Sequence, residues 1–309
     1  MTYLRAAAAL GILTLAFVWG QEDSGDVFHA EARLVVLHAT VTDRSGKLLT
    51  DLPQSAFHAY EDGVEQKVKV FRREDVPVSM GLIIDNSGSM KERRLKVEAA
   101  AMALVNASHP QDEVFIVNFN DEVYQDVPFT SDRQRMQEGL ARIDSRGGTA
   151  MRDAIYGSIS YAKAKAKHDK KVLVVVTDGD DNMSEISLEQ LVQSAQQQEV
   201  LIYSIGLLAE EERREANRAK RALDTLTRAT GGQAHYPNDL DEVGKIALQV
   251  ARDIRSQYII AYTPAKQALD GSFRRIRVTV NGPNSPTART RTGYYATSDL
   301  ASVAPARKQ

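Results

Sequence analysis

The stretch LIIDNSGSM, from Leu82 to Met90, joins an apolar run to a carboxylate, two serines and a glycine. An apolar run without polar alternation is typical of a strand buried on both faces, as in a parallel sheet covered by helices. Aspartate, asparagine, serine and glycine are also ordinary turn residues, so the stretch alone is compatible with a structural loop. The alternative is a cation site that uses hydroxyl oxygens as ligands, and the rest of the chain has to decide between the two.

Strand-like and helix-like patterns alternate from residue 77 to residue 256. The apolar runs MGLIID, EVFIVNF, KVLVVVTD and VLIYSIGLL are separated by helical patterns, one of which opens with Ser187 and Gln190 in a capping-box arrangement. Such alternation predicts a doubly wound α/β domain with a mainly parallel, six-stranded sheet. The short run VYQDVPF contains a proline, and we expect it to be the antiparallel edge strand of that sheet.

β-like patterns flank this region on both sides. Residues 27–76 contain alternating branched residues and a hairpin signal at Glu61-Asp62-Gly63. Residues 257–297 contain three further strand-like runs separated by turn residues. Because either flank alone is short for an independent core, we expect the two to pack together as one small β-sandwich-like domain. Residues 298–309 are expected to be a flexible tail.

Residues 1–20 have the pattern of a secretory signal peptide. Arg5 precedes an apolar run from Ala6 to Val18, and small or modest residues follow at the cleavage position. This run is shorter than the roughly 20 residues that a membrane-spanning helix needs. We therefore expect cleavage and export, with a mature chain that is periplasmic, attached to the cell surface or secreted, and that has no membrane span.

The composition excludes several classes of function. The chain of 309 residues has 43% hydrophobic and 26% charged residues, as soluble globular proteins do. It has no cysteine, which excludes disulfides, thiolate metal sites and cysteine nucleophiles. Its formal net charge of −2 provides no basic surface of the kind that nucleic-acid binding requires, so we expect no nucleic-acid partner.

Three polar motifs follow the predicted elements at equivalent places. LIIDNSGSM ends the first parallel strand, RGGTAMRDAI precedes a helix, and VVVTDGDD ends another strand. In open α/β sheets, ligands bind at the carboxyl edge of the strands. The residues predicted to meet at that edge are Asp85, Ser87, Ser89, Thr149 and Asp178.

All five of these side chains offer oxygen, which is the donor that hard cations such as Mg²⁺, Mn²⁺ and Ca²⁺ prefer. Alternate residues of a tight loop can point in the same direction, and we expect Gly88 to relieve crowding between the two serine hydroxyls. Two carboxylates balance the charge of the cation formally, whereas the hydroxyls add coordination without charge. If the carboxylates lay outside the direct coordination shell, the ion would stay electron-poor and would favour an external carboxylate.

This combination resembles the metal-ion-dependent adhesion site of the von Willebrand factor type A (VWA) family, over residues 76–256. The family pattern of Asp-x-Ser-x-Ser, then a distant Thr, then a distant Asp is matched by the five residues named above. The resemblance implies that the three hydroxyls bind the ion directly, that the two aspartates act largely through bound waters, and that a Glu or Asp of a protein partner completes the shell. Mg²⁺ is the expected cation, with Mn²⁺ or Ca²⁺ as alternatives. The flanks resemble secreted bacterial VWFA-related proteins, which says little about function.

Other interpretations stay open from the sequence. Asp178, Asp180, Asn182 and Glu189 have partial EF-hand spacing, but Met183 stands where that loop needs glycine. Asp85 could belong to a Mg²⁺-dependent phosphohydrolase, although Ser87 stands where one such pattern has its second carboxylate. A scaffold that keeps the fold without needing metal is a third possibility. We expect His109 and His235 to be surface or loop residues, and we expect the chain not to be an enzyme.

Overall fold

The computed structural model describes residues 34–73, 75–141, 145–179, 181–208 and 213–297. All of them belong to one unit of the chain, which starts at Arg33. The predicted signal peptide, the predicted tail and residues 27–33 of the first flank lie outside the described residues. Within the described ranges, no helix combines the length and apolarity that crossing a membrane requires.

The described chain contains fourteen strands and six α-helices. The strands are β1 (Val35–Thr42), β2 (Phe57–Glu61), β3 (Val64–Gln66), β4 (Val68–Arg72), β5 (Ser79–Asp85), β6 (Glu113–Phe119), β7 (Val123–Thr130), β8 (Lys171–Thr177), β9 (Val200–Gly206), β10 (Ala234–His235), β11 (Tyr258–Tyr262), β12 (Phe273–Val280), β13 (Thr287–Arg289) and β14 (Gly293–Tyr295). The helices are α1 (Arg94–Asn106), α2 (Arg133–Leu140), α3 (Met151–Lys165), α4 (Leu188–Gln197), α5 (Arg213–Thr230) and α6 (Val243–Arg255).

The central sheet has six strands in the order β10-β9-β8-β5-β6-β7. Neighbouring strands are parallel except for β6 and β7, which pair antiparallel at one edge. Every residue of β5, β6 and β9 is buried, as expected for strands that are covered on both faces. The predicted fold class and the predicted antiparallel edge strand are therefore confirmed.

Helices cover both faces of this sheet. Leu82 and Ile84 of β5 belong to the buried cluster that includes residues of α1, α2 and α6, whereas Ile83 belongs to the cluster that includes residues of α3, α4 and α5. Successive strand residues point to opposite faces, so one apolar strand contributes to both cores. The predicted capping box at the start of α4 is present, with Ser187 and Gln190 each accepting a backbone hydrogen bond from the other residue.

The two flanks form a pair of four-stranded sheets, ordered β13-β1-β11-β4 and β14-β12-β2-β3. Both sheets contribute to one buried cluster that includes Leu37, Phe57, Tyr262 and Val278, so the expected β-sandwich-like arrangement is confirmed. Strands from the two flanks pair directly, since β1 pairs with β11 and β2 pairs with β12. The exact domain boundaries at residues 76 and 257 stay a prediction.

Candidate metal centre

The carboxyl edge of the central sheet carries the polar motifs. Asp85 is the last residue of β5, and Asp178 follows the last residue of the neighbouring parallel strand β8. Thr149 lies two residues before α3. Both aspartates therefore lie at the carboxyl edge of the sheet, because β5 and β8 are neighbours and run in the same direction.

Hydrogen bonds join the three loops at this edge. The Ser89 hydroxyl donates to Asp178 Oδ1 at 2.8 Å, and the Gly88 N–H donates to the Gly147 carbonyl at 3.3 Å. The Asn182 N–H donates to the Thr149 carbonyl at 3.1 Å. The structure therefore brings together the loops that carry all five predicted residues, while their role as metal ligands stays a prediction.

Asp85 is fully buried, and both of its carboxylate oxygens accept hydrogen bonds. The Ser87 N–H donates to Oδ1 at 2.8 Å, and the Thr177 hydroxyl donates to Oδ2 at 2.6 Å. Burial raises the pKa of Asp85 to about 6, while the bonds from Thr177 and Ser87 oppose this rise and the nearby Asp178 adds to it. A cation bound at this edge would favour the ionised form of Asp85.

The three hydroxyls differ in their surroundings. Ser87 Oγ and Ser89 Oγ lie 3.2 Å apart, at the start of a 3₁₀ turn, Gly88–Glu92. Ser87 and Thr149 are buried, whereas Ser89 is exposed. Thr149 Oγ1 has no hydrogen-bond partner among the described residues, although the Thr149 backbone is held on both sides by Asn182. The described structure thus leaves the Thr149 hydroxyl available to a bound hard cation, which prefers oxygen ligands.

Two glycines before Thr149 lie very close to side chains of neighbouring loops. A Cβ on Gly147, whose φ is +72°, would lie 2.2 Å from Asp121 Oδ1, and a Cβ on Gly148 would lie 2.6 Å from Met183 Cγ. That Gly88 relieves crowding between the two serine hydroxyls stays a prediction. Apart from its chain neighbours Ser87 and Ser89, a Cβ on Gly88 would meet only the Gly147 carbonyl, at the ordinary contact distance of 3.8 Å.

Two further residues contact the site, of which the sequence did not indicate Arg93 and suggested a different role for Asn182. The Arg93 guanidinium pairs with Asp178 Oδ2 and also donates to the Ser89 carbonyl at 3.3 Å. The Asn182 carboxamide oxygen accepts from the Thr149 N–H at 2.9 Å. The only signal for Arg93 was its position four residues after Ser89, which places it on the same side of a helical turn.

The structure also shows the surroundings of residues in the alternative EF-hand-like calcium loop and of the two histidines considered in the sequence analysis. The side-chain oxygen of Asn182, which would be a ligand of an EF-hand-like loop, accepts from the Thr149 N–H instead. The neighbouring Asp181 accepts from the backbone and side chain of Arg152. Asp180 lies outside the described residues. His109 lies in a loop as expected, but His235 is buried in β10, so its predicted surface position is wrong.

The donor set is composed of oxygen alone, from two carboxylates and three hydroxyls. Among the described residues, no group of three or more His, Asp or Glu side chains could hold a metal ion. The arrangement is thus not a carboxylate cage. Its hydroxyl donors and the partnerless oxygen of Thr149 fit a hard cation that keeps an open coordination position.

The fold and the site together define a doubly wound α/β domain with a hydroxyl-rich candidate cation site at its sheet edge. Residues 80–180 match the von Willebrand factor type A domain family. The chain therefore contains a VWA domain.

Similar proteins include both curated sequences and a solved structure. The chain is 30% identical over 141 residues to an uncharacterised protein of Borreliella burgdorferi, covering 45% of this chain and 40% of that protein. It is 30% identical over 115 residues to human (Homo sapiens) integrin alpha-11, covering 35% of this chain and 9% of the integrin. The chain thus spans well under half the length of either relative.

The solved structure of a von Willebrand factor type A protein from Catenulispora acidiphila aligns with a TM-score of 0.50 and 13% identity. The alignment covers 91% of this chain and 78% of that chain. Similarity at this level of identity shows the fold alone.

Proposed function

We propose that the protein is an exported, divalent-cation-dependent binding module, in which the bound ion accepts an acidic side chain of a protein partner. The observation that carries this proposal is the donor set at the sheet edge. Hydrogen bonds join the loops that carry the three hydroxyls and the two carboxylates. The carboxylate oxygens already accept hydrogen bonds from the protein.

In this proposal Ser87, Ser89 and Thr149 hold the cation, and Asp85 and Asp178 orient the surrounding groups. Asp85 fixes the loop through the Ser87 N–H, and Asp178 fixes the Ser89 hydroxyl. Because hydroxyl ligands are neutral, they do not offset the positive charge of the cation. The cation therefore attracts an external carboxylate more strongly. Mg²⁺ suits an oxygen site with retained waters and is our first choice, with Mn²⁺ or Ca²⁺ as alternatives.

A binding role suits this site better than phosphoryl transfer. A nucleophilic aspartate needs an oxygen that can reach the substrate, but Asp85 is completely buried and both of its oxygens are hydrogen-bonded. Ser87 stands where a second acidic group would be needed. We therefore propose that the protein is not an enzyme.

Adhesion is the form of binding that the relatives suggest, since integrin alpha-11 matches part of the chain. Export is proposed from the apolar run that follows Arg5 near the N terminus. The partner is expected to be a protein that presents Asp or Glu at an exposed position, because a metal-bound water is replaced most readily by an anionic oxygen ligand.

Partner capture tests this function. The purified chain is immobilised and exposed to an envelope extract with Mg²⁺ or with a chelator, alongside Thr149→Val. We expect a protein that binds only with Mg²⁺ and that Thr149→Val does not retain. Capture that survives both the chelator and this substitution would instead favour a metal-independent scaffold, and metal-stimulated cleavage in a phosphatase-substrate screen would favour a phosphohydrolase.

A further inference from the structure

Arg93 places a permanent positive charge against the candidate metal centre. Its Nη1 atom pairs with Asp178 Oδ2 and donates to the Ser89 carbonyl at 3.3 Å. The Asp178 side chain is only 1% exposed and that of Arg93 is 28% exposed, so the pair is partly shielded from water. A guanidinium is a cationic donor, so the pair places a positive charge beside Asp178.

The two aspartates of the site are consequently not equivalent. Among the described residues, the carboxylate of Asp85 accepts only from neutral donors, Ser87 and Thr177. Asp178 accepts from the neutral Ser89 hydroxyl at Oδ1 and from a cation at Oδ2. The negative charge of Asp178 is thus largely balanced before any ion binds.

The next residue, Arg94, does not pair with Asp178 as Arg93 does. Arg94 is buried and donates to Asn118 Oδ1 at 2.6 Å and to the Leu140 carbonyl at 3.2 Å. Arg93 therefore donates to the site directly, whereas Arg94 is hydrogen-bonded in the core and acts on Asp85 only through its charge.

We propose that Arg93 regulates the balance between the two ligands of this site, weakening the hold on the divalent cation and strengthening the hold of the loaded site on a carboxylate. This inference rests on the proposed function, since it concerns the same cation and the same acidic partner. A fixed positive charge beside Asp178 repels the cation and attracts an anion, so both effects follow from Coulomb's law with opposite signs. Arg93 also occupies Asp178 Oδ2, which limits direct bonding of that oxygen to the ion.

A purely structural salt bridge would behave differently. If Arg93 only tied the loop of Ser89 to Asp178, its removal would loosen the site and weaken the binding of the cation and the carboxylate together. Opposite changes in the two affinities are therefore the signature of the electrostatic role.

The test measures Mn²⁺ binding by calorimetry, and acetate binding to the Mn²⁺-loaded protein by water-proton relaxation. The variants are Arg93→Gln and Arg93→Lys, and the control is Arg152→Gln. Arg152 is a matched control because its side chain is 25% exposed and pairs at 3.1 Å with Asp181, a buried carboxylate of the same loop that is not a predicted ligand. Circular dichroism during urea unfolding confirms that each variant is folded.

We expect Arg93→Gln to bind Mn²⁺ about tenfold more tightly and acetate several-fold more weakly, as the loss of one nearby charge in a partly screened site implies. Arg93→Lys, which keeps the charge, and Arg152→Gln should stay within about threefold of the wild type in both affinities. Unchanged or jointly weakened affinities in a folded Arg93→Gln would overturn the inference.

The proposed function and this inference can fail separately. If the wild type binds no Mn²⁺ but Arg93→Gln does, the proposed function fails and the inhibitory role of Arg93 is supported. If neither protein binds Mn²⁺, both are overturned. If the wild type binds Mn²⁺ and acetate but Arg93→Gln does not differ from it, only the role of Arg93 is refuted.

Discussion

Thr149→Val should separate metal binding from folding. Thr149 Oγ1 has no hydrogen-bond partner among the described residues, and valine has nearly the same shape as threonine. In the presence of a chelator the substitution therefore removes no described side-chain hydrogen bond, and the free energy of unfolding should fall by less than about 1 kcal/mol, or rise. The affinity for Mg²⁺ or Mn²⁺ should fall at least about tenfold, since even the partners of metal ligands contribute on that scale.

Thr177→Val provides the matched control. Thr177 is also buried and lies at the same sheet edge, but its hydroxyl donates at 2.6 Å to the buried carboxylate of Asp85. Loss of a hydrogen bond to a charged group should lower the free energy of unfolding by about 1.5–3 kcal/mol in chelator. Urea unfolding followed by circular dichroism gives the stabilities, and calorimetric titration gives the ion affinities. Equal destabilisation by the two substitutions, or wild-type ion affinity in Thr149→Val, would refute this reasoning.

Three further predictions concern stability. Mg²⁺ at a hundredfold excess over its dissociation constant should raise the free energy of unfolding by about 2.7 kcal/mol, and a shift that persists in Asp85→Ala would contradict specific binding. Gly81→Ala should cost about 1–3 kcal/mol in urea unfolding, because its Cβ would lie 2.4 Å from Phe115 Cζ and 2.5 Å from Leu173 Cδ2; an unchanged midpoint would show that the core can adjust. Burial and the charge of Arg255 lower the pKa of Lys170 from 10.5 to about 7, while Asp75 and Asp112 oppose this shift. Lys170 therefore loses its proton at lower pH in the folded state than in the unfolded chain. The wild type should therefore gain stability relative to Lys170→Met as pH rises from 7 towards 10.5, by at most about 1.4 kcal/mol per pH unit, and a pH-independent difference in urea unfolding between pH 7 and 9 would disprove the shift.

The central sheet could be predicted because its signals are local. β5 and β8 are uninterrupted apolar runs, and an apolar run of strand length between helical patterns predicts a buried parallel strand. The convergence of Asp85 and Asp178 followed from this, since the carboxyl ends of parallel strands share one edge. The helix start at Ser187 was equally local, because a capping box involves residues three positions apart.

The sequence predicted that the two flanks pack together, but it did not predict which of their strands pair. Val35 of β1 lies opposite Tyr262 of β11, and no local pattern specifies a partner so distant in the chain. The sequence showed that neither flank could form a core alone, but the strand order depends on how the two sets of side chains pack.

The details of the site depended on loops whose conformations the sequence does not specify. Arg93 was one of several charged residues in a helical pattern, and only the placement of Asp178 beside it distinguishes it from the others. Asn182 looked like a possible loop ligand, but its carboxamide holds the Thr149 backbone. The close approach of Gly147 and Gly148 to side chains of other loops was likewise not visible in the sequence.

Calorimetric titration of the metal-free protein with Mg²⁺, Mn²⁺ and Ca²⁺ decides whether this sheet edge is a cation site. We expect saturable binding of one ion per chain by the wild type, and no binding by an Asp85→Ala variant that remains folded by circular dichroism. The absence of measurable binding by the wild type with all three cations, or undiminished binding by Asp85→Ala, would contradict this expectation.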